Sequence, residues 1–488
     1  MLIGIGATPY HDGFISLPRR VAALFASGQQ GAWYDESDLS TIYQDSAGTT
    51  PGAIGQPEGL KLDKRLGLTL GNDVAVNGNF SLGTGWGLGA GWAIGGGTAN
   101  ATNASTYVYQ NNASIISGKV YSVTYTISGY VAGSIKAYAG ATASFGHSVS
   151  ANGTYTEYIC TAINGGELGL LATGFTGSVD DISYREVTGN HAIQATAAAR
   201  PVLGNTGGYN YSYFDGIDDS LTSATGGGGT TGFFLCQAIK PTGGAGAVRT
   251  IWSDAGTDTG YRVRINAANK LEFAASNGAP LATPVQAAAT TSLTGGTGLA
   301  ASTAYYYVVT AINALGETIK SNEQTVTTGA GDTNSNTISW AAVADATGYK
   351  IYRGTATGAE NVYYAVGAVT SYIDTGAAST AGTPPVLGET AFVKLASTAT
   401  VDAGTTSLIT VYDDGVNLNV QIGSAAVESV ARPVVSAGTA GFTMGKDNGA
   451  ATGFFTGNLY PEVYRKDSGL TATDRLNVQA YCKSKAGL

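Results

Sequence analysis

Charge is what this sequence has least of: Asp, Glu, Lys and Arg together make up 12% of its 488 residues, about half the usual share of roughly 25%. The charge it has is acidic, with a formal net of −9. An acidic surface repels phosphate backbones, so nucleic acid is not an expected partner. Cysteine is equally sparse. Cys160, Cys236 and Cys482 are odd in number and far apart, which argues against a disulfide framework or a CxxC metal pattern; they read as mostly buried thiols of a chain made in a reducing cytoplasm. Long apolar runs are missing too. The stretch MLIGIGATPYHDGFISLPRRVAALFASG has no basic leader, and its longest apolar run, VAALFA, is six residues, against the ~20 a membrane span needs. The chain is therefore expected to fold in the cytosol without membrane insertion and to be released by lysis.

Histidine is the fourth scarcity, and it limits chemistry. Only His11, His147 and His191 are present. His147 has no nucleophile and orienting carboxylate nearby, and His191 reads as a structural hydrogen-bonding residue. No HExxH, GxSxG, phosphate-loop or dinucleotide fingerprint occurs. The glycines at 226–229 read as a flexible turn. Paired carboxylates, which glycoside hydrolysis needs, occur as Asp180/Asp181, Asp218/Asp219 and Asp413/Asp414. Each pair is adjacent in sequence, so on a strand the two side chains point to opposite faces. The expectation is a non-enzymatic protein without a cofactor. Asp180 and Asp181 are also oxygen ligands of the kind a structural calcium takes; the alternative is that they end a turn before the last strand of their module.

Glycine is what the sequence has in excess, with 71 residues alongside 28 tyrosines. Together with abundant Thr and Ala, and few leucine-rich periodic runs, this suits many short strands joined by tight turns. YNYSYFDGIDDSLTS alternates, with Tyr211, Tyr213 and Asp215 on one face and Ser212 and Phe214 on the other. GFFLCQAIKP, RTIWSD, GYRVRIN and KLEFAAS follow in the same style, which resumes at ETAFVKLAS, SLITVYDDG, VNLNVQIGS and GFTMGKDN. Near the C-terminus Thr471 or Thr473 can cap a helix with Leu476, Gln479 and Ala480 on one face. The predicted class is all-β: multi-domain antiparallel sandwiches with a short C-terminal helix.

YFDGIDDSLT, SLITVYDDGVNLNVQIGS and GNLYPEVYRKDSGLTATDRLNVQAYCKSK resemble the concanavalin A/laminin-G-like jelly-roll sandwich. GAWYDESDLSTIYQDSAGTTP with QPEGLKLDK and GNHAIQATAAARPVL resembles the lead-in of tailed-bacteriophage structural proteins that carry such a sandwich. In those proteins LDKS runs almost directly into GNGNHATQ; here KLDKRLG (61–67) and GNHAIQ (189–194) stand far apart, which marks an insertion. The inserted stretch, 71–188, has the order Asn-Gly-Asn-Phe, Gly-Trp, Gly-Lys-x-Tyr and Phe-Thr-Gly-Ser-x-Asp-Asp, and resembles a carbohydrate-binding-module-type jelly roll. A second stretch, 284–386, resembles a fibronectin type III sandwich with Trp340 and the Tyr349/Ile351 face as its core, although YYYVVTAINALGE here precedes the tryptophan strand instead of following it. The resulting division is 1–30 N-terminal docking arm, 31–70 lead-in, 71–188 inserted jelly roll, 189–283 first part of the lectin-like sandwich, 284–386 inserted fibronectin-like domain and 387–488 second part of the sandwich. In the arm, a short helix after Pro18 puts Val21, Leu24 and Phe25 on one side, for a neighbouring subunit or for the chain's own sandwich.

The resemblance implies a virion structural protein, a tail fibre or tail-associated appendage displaying its modules for host attachment. Other virion proteins are its partners, and a homo-oligomer, by analogy a trimer, is expected. Aromatic faces stack on the apolar side of sugar rings while Asn, Ser and Thr bond the hydroxyls. The candidate residues for a host-surface glycan are Tyr107 and Tyr109, which share a strand face, with Tyr130 and Trp86; Trp92, beside Ile94, reads as core. The alternatives are a capsid decoration or head-fibre protein and, in a different class, a capsule-polysaccharide depolymerase.

Overall fold

The computed structural model describes residues 16–112, 114–140, 144–161, 165–227, 229–243, 246–255, 259–386, 388–438, 441–447 and 453–488. The first half of the expected docking arm, with His11, and one glycine of the 226–229 run lie outside the described residues. The fold is all-β. Strand pairing is antiparallel throughout the described residues, and their α-helices are Leu17–Ala23 and Ala472–Ala486.

Two large sheets face each other. One runs in the order Val202–Thr206, Tyr209–Asp215, Thr456–Arg465, Phe233–Pro241, Ser407–Asp413, Asn417–Ile422, Glu428–Ala431, with Gly31–Tyr34 also on Thr456–Arg465. The other includes Leu60–Lys61, Ala192–Ile193, Leu221–Ser223, Phe442–Met444, Arg249–Ser253, Tyr261–Ile265, Lys270–Ser276 and Phe392–Thr400. Phe233, Trp252, Tyr261, Phe273, Phe442 and Tyr464 pack between them. Phe233–Pro241 does not alternate in polarity because both its faces are covered. Phe233, Leu235 and Ile239 enter this core, while Phe234, Cys236 and Ala238 face the two helices.

The C-terminal helix starts in a reciprocal cap: Thr471 accepts from the Asp474 N–H and the Asp474 carboxylate accepts from Thr471, and Gly487 ends it in the left-handed region. Its buried face is Val478, Tyr481, Cys482 and Ala486 together with Gln479. The expected face is corrected here, because Leu476 is 64% exposed and Ala480 is exposed. The stripe falls two positions later because Val478, Tyr481 and Cys482 carry the apolar contact. Val21, Leu24 and Phe25 pack into the same cluster, so the described part of the expected docking arm is packed on its own chain rather than offered to a neighbour. Trp33 Nε1 donates to Tyr481 Oη at 2.9 Å and fixes strand to helix.

Both large departures from the sandwich begin and end at adjacent points. Leu70–Asp73 pairs with the end of Glu167–Val187, placing Leu70 opposite Val187. Leu60, Leu62, Val120 and Val187 close an apolar seam there. On the other sheet Ser276 pairs directly with Phe392 and Ala275 with Val393, although residues 277–391 lie between them.

Residues 71–188 build a sandwich from two long bent strands, Val120–Ala139 and Glu167–Val187, which pair along both of their halves with register shifts between. Tyr121, Val123 and Tyr125 point into its core with Trp92 and Phe175. Residues 284–386 form sheets Thr290–Ser292, Ser335–Ser339, Ser371–Asp374 and Gln324–Thr327, Ala304–Ile312, Gly348–Gly354, Val362–Gly367, Thr380–Ala381. The tyrosine-rich strand pairs with the strand that follows the tryptophan, Val309 opposite Ile351. Tyr307, Trp340, Tyr349 and Ile351 fill this smaller core.

An ionic cluster is sealed inside the large sandwich. Lys61 Nζ contacts the Glu36 carboxylate, donates to Ser212 Oγ at 2.6 Å and lies 3.6 Å from Glu58. Both carboxyl oxygens of Glu58 and of Glu462 lack hydrogen-bond partners. Burial pushes Glu58 up to about 7 and Glu462 up to about 8, so these two acids take up protons near neutral pH.

Candidate functional site

Tyr107–Asn111 lies between Glu167–Leu171 and the short strand Gly87–Leu88. Period-two alternation sends Val108 into the core and leaves Tyr107 and Tyr109 half-buried on the outer face. Tyr109 is flanked by glycine on both sides: Gly87 and Gly169 stand opposite it in the two neighbouring strands. A Cβ built at Gly87 would sit 2.4 Å from Tyr109 Cζ and 2.6 Å from Cε1. The phenol ring therefore lies across Gly87, against the sheet, in the space where a side chain would otherwise stand.

Tyr107 meets Tyr138 edge-on, with centroids 5.1 Å apart and planes at 72°. Tyr138 lies on the same side of the sheet two strands away, opposite Gly169, and is fully buried beneath its neighbours. It packs on Phe145 at 6.0 Å, and Lys136 Nζ sits 4.0 Å from the Phe145 ring centroid. Tyr138 Oη donates to Glu167 Oε2 at 3.2 Å; burial, and then the Glu167 charge, raise the phenol far above its usual range. The face thus combines aromatic surface with a cation and a carboxylate. The hydroxyls of Tyr107 and Tyr109 make no hydrogen bond among the described residues, so both are available to a ligand.

The structure separates the other expected glycan residues from this face. Trp86 is 8% exposed, its indole N–H donates to Asn77 O at 2.9 Å, and its ring packs on Phe80. It belongs to the core, a correction that follows from the Asn77 carbonyl and Phe80 enclosing the indole. Tyr130 lies at the bend of Val120–Ala139; its hydroxyl donates to Gly133 O at 3.0 Å and its ring turns towards Phe175. Tyr138, Phe145, Lys136 and Glu167 were missed. The alternation of Lys136 and Tyr138 was readable, but their neighbours depend on strand register.

Asp180 and Asp181 sit at a register shift in Glu167–Val187. Asp181 has φ 52°, and its N–H donates to Asp180 Oδ1 at 2.8 Å. The pair lies within the strand at this irregularity rather than ending a turn before it, and no third acidic group joins it among the described residues. The carboxylates that do converge are Asp215, Asp218 and Asp219, whose oxygens lie within 4.8 Å of one another. Asp219 Oδ2 accepts from the Asp215 N–H at 2.8 Å, and burial followed by the neighbouring charges pushes Asp219 up to about 6. These three offer the donor set a hard cation takes, while Asp180 and Asp181 offer two groups. Asp413 is committed to structure: it accepts from Tyr261 Oη at 2.7 Å and from Arg432 Nε at 2.6 Å.

No protein family matches the chain, and no curated protein matches it. Among solved structures, the N-terminal CBM22-1–CBM22-2 tandem domain from Paenibacillus barcinonensis Xyn10C is similar over 82% of this chain and 98% of that one, at 8% identity and a TM-score of 0.24. A score that low carries no argument about this chain, whose all-β architecture stands on its own strand pairing.

Proposed function

We propose that this protein is a non-enzymatic structural protein of a tailed-bacteriophage virion, a tail fibre or tail-associated appendage, and that its 71–188 module attaches to host-surface glycans. The observation that carries the glycan reading is the Tyr109 ring lying over Gly87 with an uncommitted hydroxyl. A ring held flat against a sheet is a preorganised platform for the apolar face of a pyranose, and its ordering cost is already met in the free protein. Tyr107 beside it extends the platform, with Lys136 and Glu167 as polar neighbours. The virion setting is supported by the resemblance of the KLDK and GNHAIQ segments. Weak binding per site would be strengthened by many copies, as in a trimer on a particle.

Binding of the intact protein to an array of bacterial surface glycans tests the first part. Tyr109→Ala and Tyr107→Ala should each abolish the array signal with little change in melting temperature; retained binding in both variants removes the site. Immunogold labelling of particles tests the second part. Label on fibres or tail tip supports the appendage, label over the head makes this a capsid decoration protein, and unlabelled particles overturn the virion reading.

A further inference from the structure

The sandwich of residues 284–386 holds a cavity of about 640 Å³, far in sequence from the tyrosine face. Its volume lies within the ~300–1,000 Å³ of small-molecule sites. Ile319, Pro384, Pro385 and Val386 form an apolar ledge, and Val386 is 67% exposed. The polar lining includes Lys320 and Glu360. Glu360 is 2% exposed, and its Oε1 has no hydrogen-bond partner. Its Oε2 lies 3.3 Å from Lys320 Nζ. The Glu323 carboxylate comes within hydrogen-bonding reach of Glu360 and also accepts from the Gly358 N–H at 2.7 Å.

A buried carboxylate oxygen with no donor is costly and calls for one. Two carboxylates against one ammonium also leave one negative charge in excess. A proton on Glu360 is one way to quench it. Burial, and then the approach of the Glu323 carboxylate, hold Glu360 above the usual carboxylate range; at Glu323 burial acts upwards, while Glu360, the Gly358 N–H and Lys320 together lower it. The charged groups facing Glu360 are Glu323 and Lys320. An ammonium ion neutralises the same excess and brings three donors where the proton brings one.

We propose that this cavity binds a primary ammonium group carried on an apolar body, with the nitrogen on Glu360 and the body along Pro384, Pro385 and Val386. A lysine side chain of a partner protein and an amino sugar share this chemistry. Binding ionises the Glu360 carboxyl and releases its proton to solvent, so uptake of one ammonium frees one proton. The site does not depend on the glycan reading of Tyr107 and Tyr109.

The test is calorimetric titration of the full chain with Nα-acetyl-lysine methylamide and with glucosamine, with N-acetylglucosamine as the uncharged control. At least one ammonium probe should bind. Its affinity should rise by up to about tenfold per pH unit while Glu360 remains protonated, and the control should not bind. A preference for the lysine probe indicates a protein partner, and a preference for glucosamine indicates a sugar. Glu360→Gln should abolish binding. Lys320→Gln, at a side chain 41% exposed, should tighten it by removing the competing cation, which decides the matter if the Glu360 variant does not fold. Equal binding of the control, pH-independent affinity, weakened binding in Lys320→Gln or no binding of either ammonium probe overturns the proposal.

Discussion

The backbone N–H of Asp63 donates to Nδ1 of His191 at 3.0 Å, joining residues 128 positions apart. Burial lowers the His191 pKa and keeps the ring neutral. With Nδ1 accepting, Nε2 carries the proton and donates to Val187 O at 2.9 Å. The Asp63 carboxylate returns the connection: Oδ2 accepts from the Asn190 N–H at 2.8 Å and from Arg65 Nε at 2.9 Å, and Oδ1 from the Trp33 N–H at 2.9 Å. The two separated segments of the lead-in are one hydrogen-bonded unit, with 71–188 leaving and returning beside it.

Asp63→Ala should therefore damage the large sandwich rather than the module next to it. Removing one member of a buried charge pair costs about 3–5 kcal/mol, and four N–H groups, the backbone N–H of Asn190, Trp33 and Arg65 and the Arg65 Nε–H, lose their acceptor here. Urea unfolding followed by tryptophan fluorescence should show the loss.

Excising 71–188 and bridging Leu70 to Gly189 with a short glycine linker should leave the remainder folded. Leu70 stands opposite Val187 and the Thr188 N–H donates to Thr69 O at 2.9 Å, so the cut ends are already close and the closing loop costs little. A cooperative melt and unchanged strand content by circular dichroism are the expected result. The exposed seam of Leu60 and Leu62 should lower the melting temperature modestly.

Glu58 and Glu462 bind protons more tightly when folded than when unfolded. Their contribution to stability is then fully present below the ordinary glutamate value and is lost as pH rises through about 7 and about 8. Glu462→Gln keeps the shape of the protonated acid. It should remove the upper part of this loss and stabilise the protein at alkaline pH by on the order of 3 kcal/mol. Melting curves across that range check it.

Glu389 has the opposite sign. It accepts from Arg264 at 2.8 and 2.9 Å and lies 2.6 Å from Lys394. Burial would raise its pKa, but the Arg264 hydrogen bonds and charge, then Lys394 and Arg262, hold it down to about 2. Its contribution is present above the ordinary glutamate range and is lost as pH falls through about 2. Glu389→Gln should destabilise the protein by about 2–4 kcal/mol near neutral pH, and calorimetry should show the deficit shrinking in acid.

Gly87→Val should displace the Tyr109 ring, because the first added carbon already lies 2.4 Å from Cζ. Glycan binding should fall to the level of Tyr109→Ala while the fold survives, since the ring can swing outwards. Unchanged binding would show that the flat ring is not the platform.

The all-β class was legible because glycine turns and period-two alternation are local. Tyr121, Val123 and Tyr125 read as one face and are one face. Trp340, Tyr349 and Ile351 read as a core and pack as one. Local pattern failed where packing partners decide the outcome. Nothing next to Leu476 shows that Val478, Tyr481 and Cys482 are the residues that meet Cys236 and Phe234. Trp86 and Tyr109 both read as candidates, yet one is enclosed by Phe80 and Asn77 while the other lies open over a glycine in another strand. By itself the sequence determined which residues alternate, which turns need glycine and which segments resemble a lectin-like lead-in. Tertiary structure alone decided that Asp63 meets His191, that Tyr107 meets Tyr138 and that Glu360 lines a cavity, because strand register and loop closure bring together residues that no local periodicity connects.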